Sequence, residues 1–588
     1  MSNYSCQNCG DSNPDFFIQR AEDFRKNYKN IKKGKIAVCK KCKDCLEQSK
    51  NNLKEILSLK TEKKLVLGGP GTGKTFLFHG VLENFPKEAN ILVITFIKNL
   101  AEELKKRLSD IPNDKIEIRT LHSFCKGFLL SKIHPYNYLP ELQEIIKNDY
   151  SLIECDFDER RYKQALVNLE ENDEVVKYFS RASYYDCVGH DDALYKVFQY
   201  LNANNTAIPK YSQVIIDEYQ DFNLLESELV NLLGQGNKIM IAGDDDQALY
   251  RFKSASPDHI RNLYKDKNFN SRFLIFCRRC TSIMVNATNA FISNALKQGL
   301  LKKKIRIDKE FKCYWPDKFF DSKKYQNIIL GKCTTDSIVA KHIVEKITSI
   351  VKDEKIQPNK EGEPEFLIVG PPRRKNFLQK VNEELEIDKR IDKNIFEIEY
   401  KSEPDKLSVE EGYKLIVKDN NSNLGWRIVL YIDPIDFGGE IDRKIIYESF
   451  QGKTIIELLP EKYVEKHKEK IQKFFLPQTV EAKETLSKTI KIKLTSYLQA
   501  KGLSANHVFV LGLEDGTFPV NPSNITEDEV CQFIVLLTRA RKSLRILSVN
   551  NRYNVRSRRR GNLSSFISMI PNEYFDANDI NASNYNKI

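Results

Sequence analysis

No stretch of the 588-residue sequence approaches the roughly 18 uncharged apolar residues that a membrane-spanning helix requires. A basic-then-apolar leader is also missing, since MSNYSCQNCGDSNPDFF is polar throughout. Together these absences predict a cytoplasmic protein with no membrane partner. No internal repeat occurs, which excludes a solenoid. In such a compartment the 13 cysteines do not predict a disulfide framework. Five of them crowd into the first 45 residues. The others (Cys125, Cys155, Cys187, Cys277, Cys280, Cys313, Cys333, Cys531) are scattered and read as buried small hydrophobes.

A hydrophobic fraction of 41% is ordinary for a globular chain, and the length implies about three to five compact units. The excess of 93 basic over 81 acidic residues is compatible with a nucleic-acid partner without deciding it.

KKLVLGGPGTGKTFLFHGVLENF reads as strand, Gly-rich turn and helix, and ANILVITFIKNLAEELKKRL repeats strand then helix. Apolar strands recur at SQVIIDEY, NKIMIAG, EFLIVG and NHVFVLGL. Such alternation predicts an α/β fold with two parallel-sheet cores and insertions. The division is a cysteine-rich module over 1–47, a first core over 48–127 and 206–276, and a helical insertion over 128–205. The second core covers 277–380 and 485–550, interrupted by a reduced insertion over 381–484. In that insertion, YKLIVKDNNSNLGWRIVLYI alternates and predicts a hairpin around DNNSN. The tail, 551–588, is basic through Arg552, Arg556, Arg558, Arg559 and Arg560, then Asn-rich and expected to be disordered.

GGPGTGKT fits the phosphate-loop pattern in its required strand–turn–helix setting. Gly68, Gly69, Pro70, Gly71, Thr72 and Gly73 would wrap backbone N–H groups around phosphate. Lys74 would reach the β- and γ-phosphates of ATP, and Thr75 would ligate Mg²⁺. VIIDEYQD brings a second strand end, with Asp217 on the metal side and Glu218 placed to activate water. Because Glu218 is a carboxylate, hydrolysis is expected rather than binding alone. Gln247 in AGDDDQALYRF could sense the γ-phosphate, and Arg279 and Arg539 are candidate cationic fingers.

The order of GGPGTGKT, TFIKNLAEEL, RTLHSFC, VIIDEYQD, AGDDDQALYRF, FCRRCTSIMVNATNAFI, SYLQAKGLSANHVFVLGLEDGTFP and LLTRARKSL resembles the UvrD/Rep/PcrA-type superfamily 1 DNA helicases. The resemblance implies two RecA-like P-loop cores clamping ATP and Mg²⁺, and 3′→5′ movement along single-stranded or tailed duplex DNA. It assigns Lys74, Thr75, Asp217, Glu218, Gln247, Arg279 and Arg539 to the ATP site, with Arg278 the alternative finger. Gln48 is the counterpart of the adenine-reading glutamine, or else a plain helix-surface residue. Thr95, Phe96, His122, Tyr250 and Phe252 fall at the family's DNA-contacting positions, where aromatic faces stack on bases.

Some positions depart from the family. Cys277-Arg278-Arg279 stands for Asn-Tyr-Arg, Leu498 for a His and Ser504 for a Glu. These changes and the short second insertion predict good translocation and weak unwinding. The expected role is ATP-driven strand movement in repair, recombination or anti-phage defence. The alternative is an ATP- and DNA-sensing subunit that gates a partner nuclease, since no nuclease constellation follows Leu544.

At the N-terminus, Cys6-x-x-Cys9 and Cys39-x-x-Cys42-x-x-Cys45 are 29 residues apart. Two such pairs can close a tetrahedral structural zinc site. The expected ligands are Cys6, Cys9, Cys39 and Cys42, with Cys45 able to replace Cys39. The neighbouring lysines, among them Lys32, Lys33 and Lys35, either reach DNA or form a solvated face.

Overall fold

The protein is described as a computed structural model covering residues 6, 16–20, 35–96, 101–102, 104–105, 108–109, 111, 113–302, 305, 309–357, 364–400, 407–436, 439–474, 489–549, 553–554, 559–560 and 562–580. Strands such as Ile91–Thr95, Gln213–Ile216 and Ile239–Gly243 are buried along their whole length. Runs this uniformly apolar, with no polar face, belong in a parallel sheet covered on both sides. The first sheet has six parallel strands in the order Asn270–Leu274, Lys63–Gly68, Ile239–Gly243, Gln213–Ile216, Ile91–Thr95 and Ile116–Thr120. Its strand ends therefore share one edge, the place where such sheets bind ligands.

The second sheet has seven parallel strands: Phe396–Tyr400, Ile490–Ser496, Phe366–Gly370, Ala505–Leu511, Ala540–Val549, Ile328–Cys333 and Phe575–Ile580. Separate apolar clusters cover its two faces, one around Phe291 and Phe533, the other around Ile343 and Phe377. The two expected cores are therefore both present as α/β units.

Three expectations need correction. First, the boundary at 380 falls inside the helix Lys375–Ile387, and Phe396–Tyr400 pairs with Ile490–Ser496, so the second core runs to Tyr400 before the insertion begins. Second, the segment around DNNSN is a helical hairpin, Val409–Lys418 and Asn423–Ile432. Its apolar residues line a helix face rather than alternating across a strand. Gly412 and Gly425 let the two helices touch, because a Cβ on Gly412 would lie 2.8 Å from the Gly425 carbonyl. Third, the tail is not disordered throughout. Helix Ser565–Ser568 packs Phe566 and Ile567 into the second core, and Phe575–Ile580 forms an edge strand. Arg552, Arg556, Arg558 and residues 581–588 lie outside the described residues. Among the scattered cysteines, Cys155 is exposed and Cys313 only partly covered.

The first insertion is helical as expected, and the second packs directly upon it. Tyr150, Tyr178, Trp426 and Ile446 belong to one apolar cluster. Asp149 sits buried in that contact, accepting from Arg181 Nε and Arg427 Nε, both at 2.6 Å. Among the described residues no helix is long and apolar enough to cross a membrane.

Candidate nucleotide site and nucleic-acid interface

Strand Lys63–Gly68 ends in the loop that precedes helix Lys74–Leu82. Gly71 and Gly73 take φ of +68° and +91°. Only glycine adopts these values readily, and such turns can aim successive amides at an anion. The second core closes over the loop. A Cβ on Gly69 would lie 2.9 Å from the Phe311 ring, and one on Gly71 would lie 2.5 Å from Arg279 Cβ.

Strand Gln213–Ile216 delivers Asp217, whose amide donates to the Ile94 carbonyl at 2.8 Å. Glu218 follows with φ +54°, a strained conformation of the kind found at functional sites. Lys74 Nζ donates to the Gly68 carbonyl at 3.3 Å and lies 3.5 Å from Glu218 Oε1. Gln220 donates to Glu218 Oε2 at 2.5 Å and accepts from the Asp244 amide at 2.9 Å. Burial and the neighbouring Glu218 push the Asp217 carboxyl above its ordinary range. Burial also opposes ionisation of Glu218, but Lys74 and Lys501 outweigh it and hold that carboxyl low.

Arg279 and Arg539 both face this edge. Arg539 is buried and donates to the carbonyls of Val535 (2.8 Å) and Leu503 (3.2 Å) and to Thr538 Oγ1 (3.3 Å), none of them charged. Burial, then the charge of Arg279, disfavours the cationic form of Arg539. A buried guanidinium beside a second one, and a buried carboxyl that resists ionisation, suit a site completed by anionic phosphates and a divalent cation. The residues present fit ATP and Mg²⁺.

Two expected contacts are placed differently. Gln247 donates to Asp244 Oδ2 at 2.8 Å instead of facing the loop. Gln48 lines a cavity of about 560 Å³ beside Lys41, Lys312 and Trp315. Ser49, the next residue, and Asn52, one turn along the helix, line the recess over Thr72 and Gly73. There Arg278 stacks on Tyr314 with its guanidinium carbon 3.8 Å from the ring centre, and donates to Ser49 Oγ at 3.0 Å.

Sequence reasoning missed Lys501. Reaching from the second core, it contacts Asp221, donates to the Gln247 carbonyl at 2.5 Å, and lies 3.7 Å from Glu218 Oε2. The signal was the K-G-L triplet in SYLQAKGLS, read only for its neighbours Leu498 and Ser504. Ser504 itself accepts from Arg541 Nη2 at 3.0 Å.

The expected DNA residues do not all come together. Phe222, Phe96, Tyr250 and Phe252 make an aromatic ladder with ring centroids 6.0, 4.8 and 5.9 Å apart along the series. It runs from buried Phe222 to exposed Phe252. Lys501 Nζ lies 5.8 Å from the Tyr250 ring centre, which links the ladder to the carboxylates. His122 instead stacks on His190 of the first insertion at 3.9 Å. Thr95 is fully buried, and its hydroxyl has no hydrogen-bond partner among the described residues.

Near the N-terminus, Cys6, Cys39 and Cys42 are buried with their sulfurs all within 4.8 Å of one another. The Cys6–Cys42 separation of 4.0 Å matches the roughly 3.8 Å that tetrahedral zinc with 2.3 Å bonds imposes. Cys45 stands apart, its sulfur bonded by the Trp315 amide, and Cys9 lies outside the described residues. The cluster packs against Trp315 and Phe319 of the second core.

With this geometry established, comparison with known proteins is specific. Residues 54–253 match the family model of an AAA domain, and residues 453–551 match that of a UvrD-like helicase C-terminal domain. A protein described as a probable DNA helicase II homolog in Mycoplasma genitalium is 24% identical across 90% of this chain and 88% of its own length. A second of that description, in Mycoplasma capricolum, is 26% identical across 49% of this chain and 44% of its own. The ATP-dependent DNA helicase PcrA of Staphylococcus aureus is 26% identical across 39% of this chain and 38% of its own.

The chain belongs to the UvrD/PcrA-type superfamily 1 helicases.

A UvrD/PcrA-type helicase is an ATP-hydrolysing DNA helicase, and both halves of that machinery are accounted for. The first match spans the loop, the acidic pair and the aromatic ladder; the second spans Lys501 and Arg539. The unit least expected of this family is the cysteine module, which precedes the first matched segment.

Proposed function

We propose that this helicase translocates 3′→5′ along single-stranded DNA, with each ATP hydrolysed in the cleft between the two cores. Gly68 to Gly73 and Lys74 cradle the phosphates. Thr75 and Asp217 hold Mg²⁺, which neutralises developing phosphate charge when bound. Glu218 accepts the proton of the attacking water. Arg279 and Arg539 stabilise the charge that develops as the terminal phosphoryl group transfers. Gln247 turns toward the γ-phosphate from its present bond to Asp244.

One observation carries the coupling of hydrolysis to DNA. Lys501 touches the Glu218–Asp221 segment and the Gln247 backbone while lying beside Tyr250 of the aromatic ladder. A cleft that closes on nucleotide moves Lys501, and the platforms on which bases stack shift with it. The second insertion, docked on the first through Asp149, favours tracking of one strand over duplex opening. Cys6, Cys9, Cys39 and Cys42 hold one structural zinc.

Displacement assays on short duplexes with either a 3′ or a 5′ single-stranded tail test the polarity. Release from the 3′-tailed substrate, or DNA-stimulated turnover with translocation toward the 5′ end, supports the proposal. Displacement confined to 5′-tailed substrate contradicts it. Strong DNA stimulation without movement would favour the nuclease-gating alternative.

A further inference from the structure

Two thiols beside the phosphate loop have no part in the proposed hydrolysis. Cys277 and Cys280 bracket Arg278 and Arg279 in a C-x-x-C turn leading into helix Ser282–Lys297, and both are buried. The Cys280 amide donates to Cys277 Sγ at 3.4 Å, and the Cys280 thiol donates to the Thr538 carbonyl at 3.5 Å. The turn is stitched to the loop, because the Arg278 amide donates to the Gly71 carbonyl at 2.9 Å. A Cβ on Gly71 would lie 3.2 Å from Cys277 Sγ, so this sulfur packs directly on the loop. A third thiol, on Cys313, is engaged elsewhere: it donates to the Cys280 carbonyl at 3.7 Å.

The two sulfurs differ chemically. Burial disfavours the Cys277 thiolate, yet hydrogen bonds from Cys280 and the turn amides, with the charge of Arg279, bring it down to about 7. The neighbouring Cys277 sulfur and burial hold Cys280 well above the ordinary thiol range. A nucleophilic thiolate next to a protonated partner is the arrangement of a reactive cysteine with its resolving cysteine.

We propose that Cys277 and Cys280 form a reversible disulfide that switches off the nucleotide site when a peroxide reaches this turn as the two cores part. The Cys277 thiolate attacks one peroxide oxygen and breaks the O–O bond, giving a sulfenic acid and an alcohol or water. The Cys280 sulfur then attacks the sulfenic sulfur; the S–S bond forms and water leaves. Two thiols lose two hydrogens and two electrons, and the peroxide gains them. Closing this bond draws Cys277 Sγ off Gly71 and tightens the turn that carries Arg278 and Arg279. Both guanidiniums leave their positions over the loop. The inference rests on reading that loop as the ATP site.

The test treats full-length protein with hydrogen peroxide, with and without Mg-ADP. Peptides are mapped without reduction, and ATP turnover is followed before and after dithiothreitol. A 277–280 cross-link is expected, formed more slowly with nucleotide bound. Turnover should fall on the order of tenfold or more, as small displacements of positioned groups do, and recover on reduction. Cys280→Ser, with Cys280→Ala as a second variant, should keep reduced-state turnover and lose the reversible inhibition. Absence of the cross-link, a bond to Cys313 instead, a cross-link without effect on turnover, or equal inhibition of wild type and both variants overturns the proposal. Absent turnover in fully reduced wild-type protein would strike the ATP-site reading instead.

Discussion

Lys501 of the second core places its ammonium 3.7 Å from Glu218 of the first, in a pocket where the lysine is buried and the glutamate only partly exposed. The same ammonium contacts Asp221, whose carboxyl burial pushes up to about 6 even with this partner beside it. A cation so enclosed is held by the relative position of the two cores.

Lys501→Met is therefore expected to uncouple the cores more than to unfold them, because the abandoned Asp221 can take up a proton. DNA-stimulated turnover should fall on the order of a hundredfold, the scale of losing one positioned charge in an active site. Steady-state ATPase with and without oligonucleotide checks this. An unchanged ratio of stimulated to basal turnover would remove Lys501 from the coupling.

Asp149 offers a separate test of the docked insertions. Its carboxylate is fully buried between Arg181 and Arg427, and these outweigh burial to hold it below its ordinary range. Asp149→Ala leaves two buried guanidiniums facing each other. The expected loss is about 3–5 kcal/mol, the cost of breaking a buried ion pair from one side. Urea denaturation reads it, and a loss below about 1 kcal/mol would mean that the insertions part easily.

Asp192, in the first insertion, makes a pH-dependent contribution. Burial pushes its carboxyl up to about 7, above the roughly 3.9 of an unfolded chain. The folded form therefore binds the proton more tightly. The stability it contributes is complete below about pH 4 and is lost as pH rises through 7. Asp192→Asn should match wild type near pH 4 and exceed it near pH 8 by a few kcal/mol, to order of magnitude. Melting curves across that range check the sign, and a difference independent of pH would contradict it.

Much of this was legible in sequence for a physical reason. A phosphate loop, an acidic strand end and a parallel-sheet strand are local patterns, so Lys74, Asp217 and the strand Gln213–Ile216 declared themselves. Lys501 did not, because its partners Asp221 and Glu218 lie some 280 residues away and no local pattern marks the contact. The helical hairpin around Gly412 and Gly425 was hidden for a related reason. Its β-branched, alternating residues mimic a strand until packing on the first insertion decides between the two. The tail strand Phe575–Ile580 was masked by Asn-rich surroundings, and only the open edge at Ile328–Cys333 recruits it.

The cysteine module gives a metal prediction. Purified protein should carry one zinc per chain by atomic absorption, lost in Cys39→Ser and Cys42→Ser and retained in Cys45→Ser. Metal-free wild type, or loss on changing Cys45, would refute this ligand set. Because the cluster packs on Trp315, loss of zinc should also increase exposure of that indole in fluorescence quenching.

The most direct test of the central claim is ATP turnover by the purified chain, with and without single-stranded DNA, beside Lys74→Ala. Turnover that rises on the order of tenfold or more with DNA, and is abolished in Lys74→Ala, is the expected result. Turnover indifferent to DNA, or persisting in Lys74→Ala, would contradict a motor in which the loop at Gly68 to Thr75 and the aromatic ladder at Tyr250 work through Lys501.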